Sequence, residues 1–310
     1  MQSMFVKVLV VLVVSVFSVM AAPFNPVWVS GDANWVMHVD FAALRASQIG
    51  KALLSEDLNA AGQEQLQQAK EMFGMDPRTD LDAVTLYGGG RGQDDVVVLV
   101  GGKLDADKLV AQLKGMTGYT VSSLGAREVH SWLDEQGEDA SRVHGVILDG
   151  SRSVASKSVE LLQKALAVLD GKQGNLTQGG TLDTSVLSGS GLLLAATADL
   201  RNVDLSANPM LANAKAGVFR MQMRESGGDL ALRVAMQQES AQEAQQAESM
   251  LNGFKMMGLM QMQQQNPDLA GLMQAITITR NDDMLMLQMS YPAAKIVEMI
   301  KAVAQSGSEE

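Results

Sequence analysis

Hydrophobic and polar positions change period repeatedly along the chain, and each change marks a new element. Asn34 to Asp40 alternates as a strand does, with Trp35, Met37 and Val39 on one side. Phe41, Leu44, Ile49, Leu53 and Leu54 then follow helical spacing, broken near Gly50. From Gly62 to Phe73 a helix sets Leu66, Ala69, Met72 and Phe73 against a Gln/Glu/Lys face, and Asp76-Pro77 stops it. Asp82–Tyr87 and Asp95–Val100 read as strands joined by Gly88-Gly-Gly-Arg-Gly-Gln93, and a helix follows from Asp105 to Met116. Three further strands are predicted at Tyr119–Ser123, Glu128–Leu133 and Val143–Asp149, with a turn at Glu135–Asp139. Ser153 to Asp170 carries Val159, Leu162, Leu166 and Leu169 on one helical stripe. Gly171 to Ser190 has the composition of a surface loop, and Leu192 to Ala196 resumes as a strand.

The C-terminal third repeats these themes. Val218–Arg224 and Leu230–Met236 alternate cleanly around Gly227-Gly228, which predicts a hairpin with one buried face. Ser240 followed by Glu243 has capping-box spacing and opens a helix that runs to Gln265, where Asn266-Pro267 ends it.

Two stretches share one plan. Ala83 to Lys114 reads AVTLY, a glycine-rich turn, DDVVVLV, then DADKLVAQLK. From Ala275 the chain reads AITIT, a short turn, DDMLMLQ, then PAAKIVEMIK. The predicted class is therefore α+β, with antiparallel sheets, helices packed on one face, and an internal duplication of a β-α-β-β-α unit. The predicted organisation is a leader at 1–21, an N-terminal α+β domain at 22–199, a C-terminal α+β domain at 200–304 and a polar tail at 305–310.

Composition adds compartment and exclusions. Lys7 precedes an apolar run from Val8 to Ala22 interrupted by Ser15 and Ser18, which is the length of a signal-peptide core and short of a membrane span. Val19-Met20-Ala21 supplies tolerated cleavage positions, and Pro23 disfavours a cut after Ala22, so cleavage is placed after Ala21. The mature chain is then extracytoplasmic, periplasmic or secreted, without stable membrane insertion. An uncleaved anchor is the alternative. The net charge of −11 repels phosphate backbones and anionic lipid, so nucleic acid is excluded as a partner. With no cysteine, disulfides, thiolate metal sites, Fe–S clusters and a cysteine nucleophile are all excluded.

The residues that could carry chemistry each have a simpler explanation. Gly88 to Gly92 lacks the Lys-Ser/Thr entry into a helix that a phosphate loop needs, and a flexible hairpin turn explains it. His38 with Asp40, and Glu128 with His130, lie two apart on a strand and could each give two metal ligands. Catalytic zinc wants three, which leaves them as polar residues on a sheet's wet face. Asp94-Asp95 and Asp282-Asp283 begin matching strands, where turn chemistry accounts for aspartate. Leu187-Ser-Gly-Ser-Gly191 only loosely follows a nucleophile elbow. Methionine is the outlying residue, 21 in all, with Met256, Met257, Met260 and Met262 on one helix and Met284, Met286 and Met289 on one strand. Clustered thioethers suit Cu(I), and they equally suit an irregular core or a soft binding groove.

Asn34-Trp-Val-Met-His-Val-Asp40, Glu128-Val-His-Ser-Trp-Leu-Asp134, Gly145-Val-Ile-Leu-Asp149 and the stretch Ala165 to Lys172 together resemble a group of exported bacterial proteins with no assigned activity. That resemblance implies export and supplies no site residues or cofactor. Three readings follow. The first is a non-enzymatic envelope protein that binds a protein or small molecule through a sheet face or the methionine-rich helix. The second is a soft-metal handler using Met256, Met257, Met260 and Met262. The third is an extracytoplasmic hydrolase with a serine or carboxylate site.

Overall fold

The computed structural model describes residues 22–55, 60–90, 95–135, 140–202 and 216–306. Its strands are β1 (Trp35–Asp40), β2 (Leu81–Gly88), β3 (Val97–Gly102), β4 (Thr120–Leu124), β5 (Arg127–Asp134), β6 (Ser141–Asp149), β7 (Arg152–Ser156), β8 (Leu192–Asp199), β9 (Ala216–Ser226), β10 (Asp229–Gln238), β11 (Ile276–Asn281) and β12 (Met284–Pro292). Its helices are α1 (Phe41–Ala46), α2 (Gln48–Leu53), α3 (Ala60–Phe73), α4 (Ala106–Lys114), α5 (Val159–Leu169), α6 (Ala241–Gln265), α7 (Pro267–Gln274) and α8 (Ala293–Ser306). The protein is α+β, as its periodicities predict.

All twelve strands join one sheet in the order β11-β12-β10-β9-β8-β1-β2-β3-β7-β6-β5-β4. Every neighbouring pair is antiparallel. The chain makes the same move at both ends. After β3 it crosses through α4 to the edge strand β4 and returns through β5 and β6 to lay β7 beside β3. After β10 it crosses through α6 and α7 to the edge strand β11 and returns to lay β12 beside β10. A hairpin followed by a helix occurs in β2–β3–α4, β6–β7–α5, β9–β10–α6 and β11–β12–α8.

Alternation along β1 sorts two cores onto the two faces of the sheet. Val39 joins Phe41, Leu44, Leu81, Val84, Leu109, Leu113 and Leu194 under α1, α2, α4 and α8. Val36 points the other way and joins Val97, Val129, Val146, Val154, Leu162 and Leu166 under α5. The helices, predicted on one face, thus occupy both. Two tight turns follow their chemistry. Gly227 and Gly228 take φ of 64° and 93° between β9 and β10, and Asp282 takes φ of 54° between β11 and β12.

Several boundaries differ from the sequence reading, each for a local reason. The break predicted near Gly50 falls at Ser47, which ends α1 and caps α2: its hydroxyl donates to the Leu44 carbonyl at 2.7 Å and accepts from Gly50 N–H at 2.8 Å. The helix predicted from Ser153 begins at Val159. Residues Arg152–Ser156 pair with β3 and β6 instead, and Ser158 caps α5 through Leu161 N–H. Pro267 ends α6 and also opens α7, since a proline at N1 sacrifices no intrahelical hydrogen bond. Gln305 and Ser306 belong to α8 rather than to a polar tail. The leader 1–21, the turn residues 91–94 and 136–139, and the tail 307–310 lie outside the described residues.

Candidate functional site

The long helix α6 has an inner side set by small and aliphatic residues. Ser240 caps it by accepting from Glu243 N–H at 3.2 Å, which is half of the capping box its spacing suggested. Ala244 and Leu259 are buried, and Gly258 brings α6 so close to α7 that an added Cβ would sit 2.4 Å from the Met273 methyl. Lys255 reaches across to donate to the Ile276 carbonyl of β11, and Glu248 pairs with Arg280 at 3.5 Å. These contacts fix how α6 is rotated on the sheet.

The same rotation points the other side of α6 away from the protein. Met250, Phe254 and Met257 follow one another at spacings of four and three, and Met256 and Met260 lie one turn apart beside them. All five are more than half exposed. Met262, fourth of the candidate metal ligands, is half-buried, so the structure groups Met256, Met257 and Met260 and separates Met262 from them. Over this segment α6 is apolar on both sides. A helix apolar all round is ordinarily enclosed, and an exposed apolar stripe of this kind marks an interaction surface. Its polar neighbours along α6 are Gln261, Gln263 and Ser249, and within α6 the basic residue is the committed Lys255.

The remaining candidates are placed as follows. His38, predicted on a wet face, is buried: Nδ1 meets the Thr85 hydroxyl at 2.9 Å and Nε2 meets the Ala22 carbonyl at 3.1 Å. Burial holds its pKa down to about 4, so it is neutral. His130 is buried too, bonded to the Tyr119 hydroxyl at 2.9 Å. Both are covered because the faces of β1 and β5 that carry them are packed over rather than open to water. Among the described residues no three His, Asp or Glu side chains converge as a metal site. Antiparallel β2 and β3 lie on either side of the glycine run, and a Cβ at Gly88, the last residue of β2, would fall 2.0 Å from the Asp95 carbonyl oxygen, so close approach of the backbone explains this glycine. Asp282 and Asp283 form a hairpin turn, and Asp283 accepts from the Gln237 side chain at 2.9 Å.

A hollow of about 390 Å³ lies where β4, β5 and β6 meet the start of α5, lined by Ser122, Ser131, Arg142, His144, Val159 and Gln163 among others. Here Ser131 and His144, opposite one another on β5 and β6, are hydrogen-bonded at 2.8 Å through Nδ1. This serine–histidine contact was not legible in the sequence, because the partners come from different strands. No carboxylate hydrogen-bonds this imidazole among the described residues, and Arg142 beside it lowers the imidazole pKa further after burial. Among the described residues the pair has no orienting acid of the kind a hydrolytic triad uses.

The class defined by these features is an α+β protein with one long antiparallel sheet and an exposed apolar helix at one end. No protein-family model matches the chain, and no curated protein does. Among solved structures it is similar to crystal form III of TP0453, with a TM-score of 0.50 and 12% identity over 91% of this chain and 99% of that one. Crystal form IV of TP0453 gives 0.49 and 10% identity over 90% and 97%. At this identity the likeness to form III is one of fold. Among the described residues no helix is long and apolar enough to cross a membrane.

Proposed function

We propose that the chain is an exported, non-enzymatic binding protein of the cell envelope whose contact surface is the outer face of α6. The observation that supports this is the exposure of Met250, Phe254, Met256, Met257 and Met260 on one side of a helix whose other side is already packed. The occupant is an apolar segment of a partner protein. The face is a convex stripe and not a cavity, which does not suit a small molecule. It lacks the Lys and Arg that attach an interfacial helix to anionic lipid, and the chain as a whole is acidic. Flexible thioethers accommodate a protein surface by repacking.

The test is a photoreactive residue at position 254 in the host's extracytoplasmic fraction, with the same probe at Val121, exposed on the far edge, as control. A discrete protein adduct at 254 that disappears with Met257→Glu plus Met260→Glu is expected. Equal labelling at 254 and 121 ends the proposal.

A second reading has its own observation. Met256, Met257 and Met260 present thioethers to solvent within about one helical turn, a donor set that suits Cu(I). Tight Cu(I) binding that is lost on Met257→Leu plus Met260→Leu supports a soft-metal role, and absence of binding removes it.

A further inference from the structure

β1 sends two polar side chains, His38 and Asp40, to the same side of the sheet, and both hold the same residue. The Ala22 N–H donates to Asp40 Oδ1 at 3.2 Å, while the Ala22 carbonyl meets His38 Nε2 at 3.1 Å. A carbonyl only accepts, so Nε2 carries the imidazole proton and Nδ1 accepts from the Thr85 hydroxyl. Two residues further on, Phe24 sets its ring edge against this imidazole, with centroids 5.7 Å apart and planes at 67°. Residues 22–24 are therefore seated by three separate contacts.

Asp40 is a buried carboxylate, only 4% exposed. The same Oδ1 also accepts from Ala43 N–H at 2.7 Å, which caps α1. Capping accounts for the Ala43 contact and leaves the contact with Ala22 unexplained. These donors, and the Ala42 N–H that also acts on the carboxylate, are neutral amides. Arg45 acts on Asp40 only through its field, because its guanidinium is bonded to Asp82 and to the Leu81 carbonyl. Burial is the largest influence on the Asp40 carboxyl and pushes its pKa up. A buried carboxylate is ordinarily matched by a cation, and among the described residues none forms an ion pair with this one.

The nitrogen already in contact is the one that leader removal would charge. We propose that Ala22 is the amino terminus of the working protein and that its α-ammonium group is the counter-ion of Asp40. A leader peptidase hydrolyses the Ala21–Ala22 bond. Water gives its hydroxyl to the Ala21 carbonyl carbon and a proton to the Ala22 nitrogen as the C–N bond breaks, and the freed amine then takes up a second proton. The hydrogen bond that Asp40 accepts from a neutral amide becomes an ion pair with an ammonium donor, without a new position for either atom. The cleavage pattern at Val19 to Ala21 and the blocking Pro23 select the same residue independently of the structure. Leader removal thus does more than release the chain: it completes a buried ion pair on the central strand.

The test begins with the full-length chain exported by its host and the intact mass of the product, expected to start at Ala22. Acetylation of the α-amine is then crossed with Asp40→Asn, which keeps a capping side chain and removes the charge. Acetylation is expected to lower the melting temperature by about 2–4 °C with Asp40 present and to have little effect in the Asp40→Asn variant. The α-amine is expected to react with an amine reagent about tenfold more slowly in the wild type than in Asp40→Asn, since the bonded ammonium form is not nucleophilic. A product that starts elsewhere, or an acetylation shift equal in both backgrounds, overturns the proposal. Should Asp40→Asn fail to fold, the wild-type chain retaining Ala21 carries the test. A melting temperature equal to that of the chain starting at Ala22 overturns the proposal equally.

Discussion

The middle of the sheet and its C-terminal end are built from similarly apolar strands and are buried very differently. In β8 seven consecutive residues, Leu192 to Ala198, are buried, so this strand is covered on both faces. In β12 only Leu285 is buried, and Met284, Met286 and Met289 are half-exposed. The helix beside β12 goes further and turns five large apolar side chains outward. The centre spends its apolar surface on the fold. The end keeps part of it available, which is what a contact surface requires and what a solitary stable domain avoids.

The largest effect should come from the centre. Leu194 on β8 faces Val39 of β1 and Met223 of β9 and is 6% exposed. Leu194→Ala is expected to cost about 2–5 kcal/mol in urea unfolding, the usual range for an emptied aliphatic site. A cost below about 1 kcal/mol would show that the centre is as loosely packed as the end, and the contrast would fail.

The buried histidine of β1 gives the centre a pH signature. The folded His38 titrates at about 4, below its ordinary 6.5, so the unfolded chain takes the proton first as pH falls. The contribution of neutral His38 is therefore complete above pH 6.5 and lost on descending to pH 4, on the order of 3 kcal/mol in total. In the chain before leader removal Asp40 works in the opposite sense, since its raised folded pKa means that protonation relieves the folded state. Stability is accordingly measured as the difference between wild type and His38→Asn, which largely cancels Asp40. A difference that is flat between pH 6.5 and 4 would place His38 in contact with solvent, against the geometry.

Glycines sharpen the comparison further. At Gly50, in the first turn of α2, an added Cβ would lie 2.1 Å from the Leu44 carbonyl oxygen, a backbone atom that cannot swing away. Gly50→Ala is expected to cost about 1–3 kcal/mol. At Gly253, on the exposed side of α6, an added Cβ meets nothing within 4 Å. Gly253→Ala is expected to stabilise the protein by about 0.5–1 kcal/mol, because alanine restricts the unfolded chain and suits a helix. The opposite signs are the readout, by urea midpoint for both.

How far the sequence led depended on the range of the interaction that decided each element. Alternation placed β1, β9 and β10, the plan shared with Ala83–Lys114 placed the hairpin before α8, and Ser240 marked the start of α6, because those signals are local. β7 was hidden because Ser153 to Ser156 is four residues long and continues into a helical stripe; only pairing with β3 and β6 makes it a strand. α7 was hidden because Pro267 reads as a stop, and the cap that lets it start a helix is Asn266 accepting from Leu269 N–H at 3.2 Å. The methionines of α6 kept company with Leu and Phe as core residues do. Which of them faced inward was decided by Lys255 meeting β11 and Gly258 meeting α7, contacts that composition does not reveal.

The smallest expected change in stability tests the largest functional claim. Met257→Gln plus Met260→Gln exchanges two thioethers for the residue that already borders them at 261 and 263, with nearly the same helix propensity. Neither methionine supports the core, so the urea midpoint should move by less than about 0.5 kcal/mol. The protein adduct at position 254 should nonetheless fall away, because an apolar partner segment would have to desolvate two amides without hydrogen-bond partners. A marked loss of stability would mean that these side chains pack against this protein and that the outer face of α6 is part of its own core. Unchanged stability with an unchanged adduct would mean that the face is open but idle, and the contact surface would then have to be sought along the half-exposed strands β11 and β12.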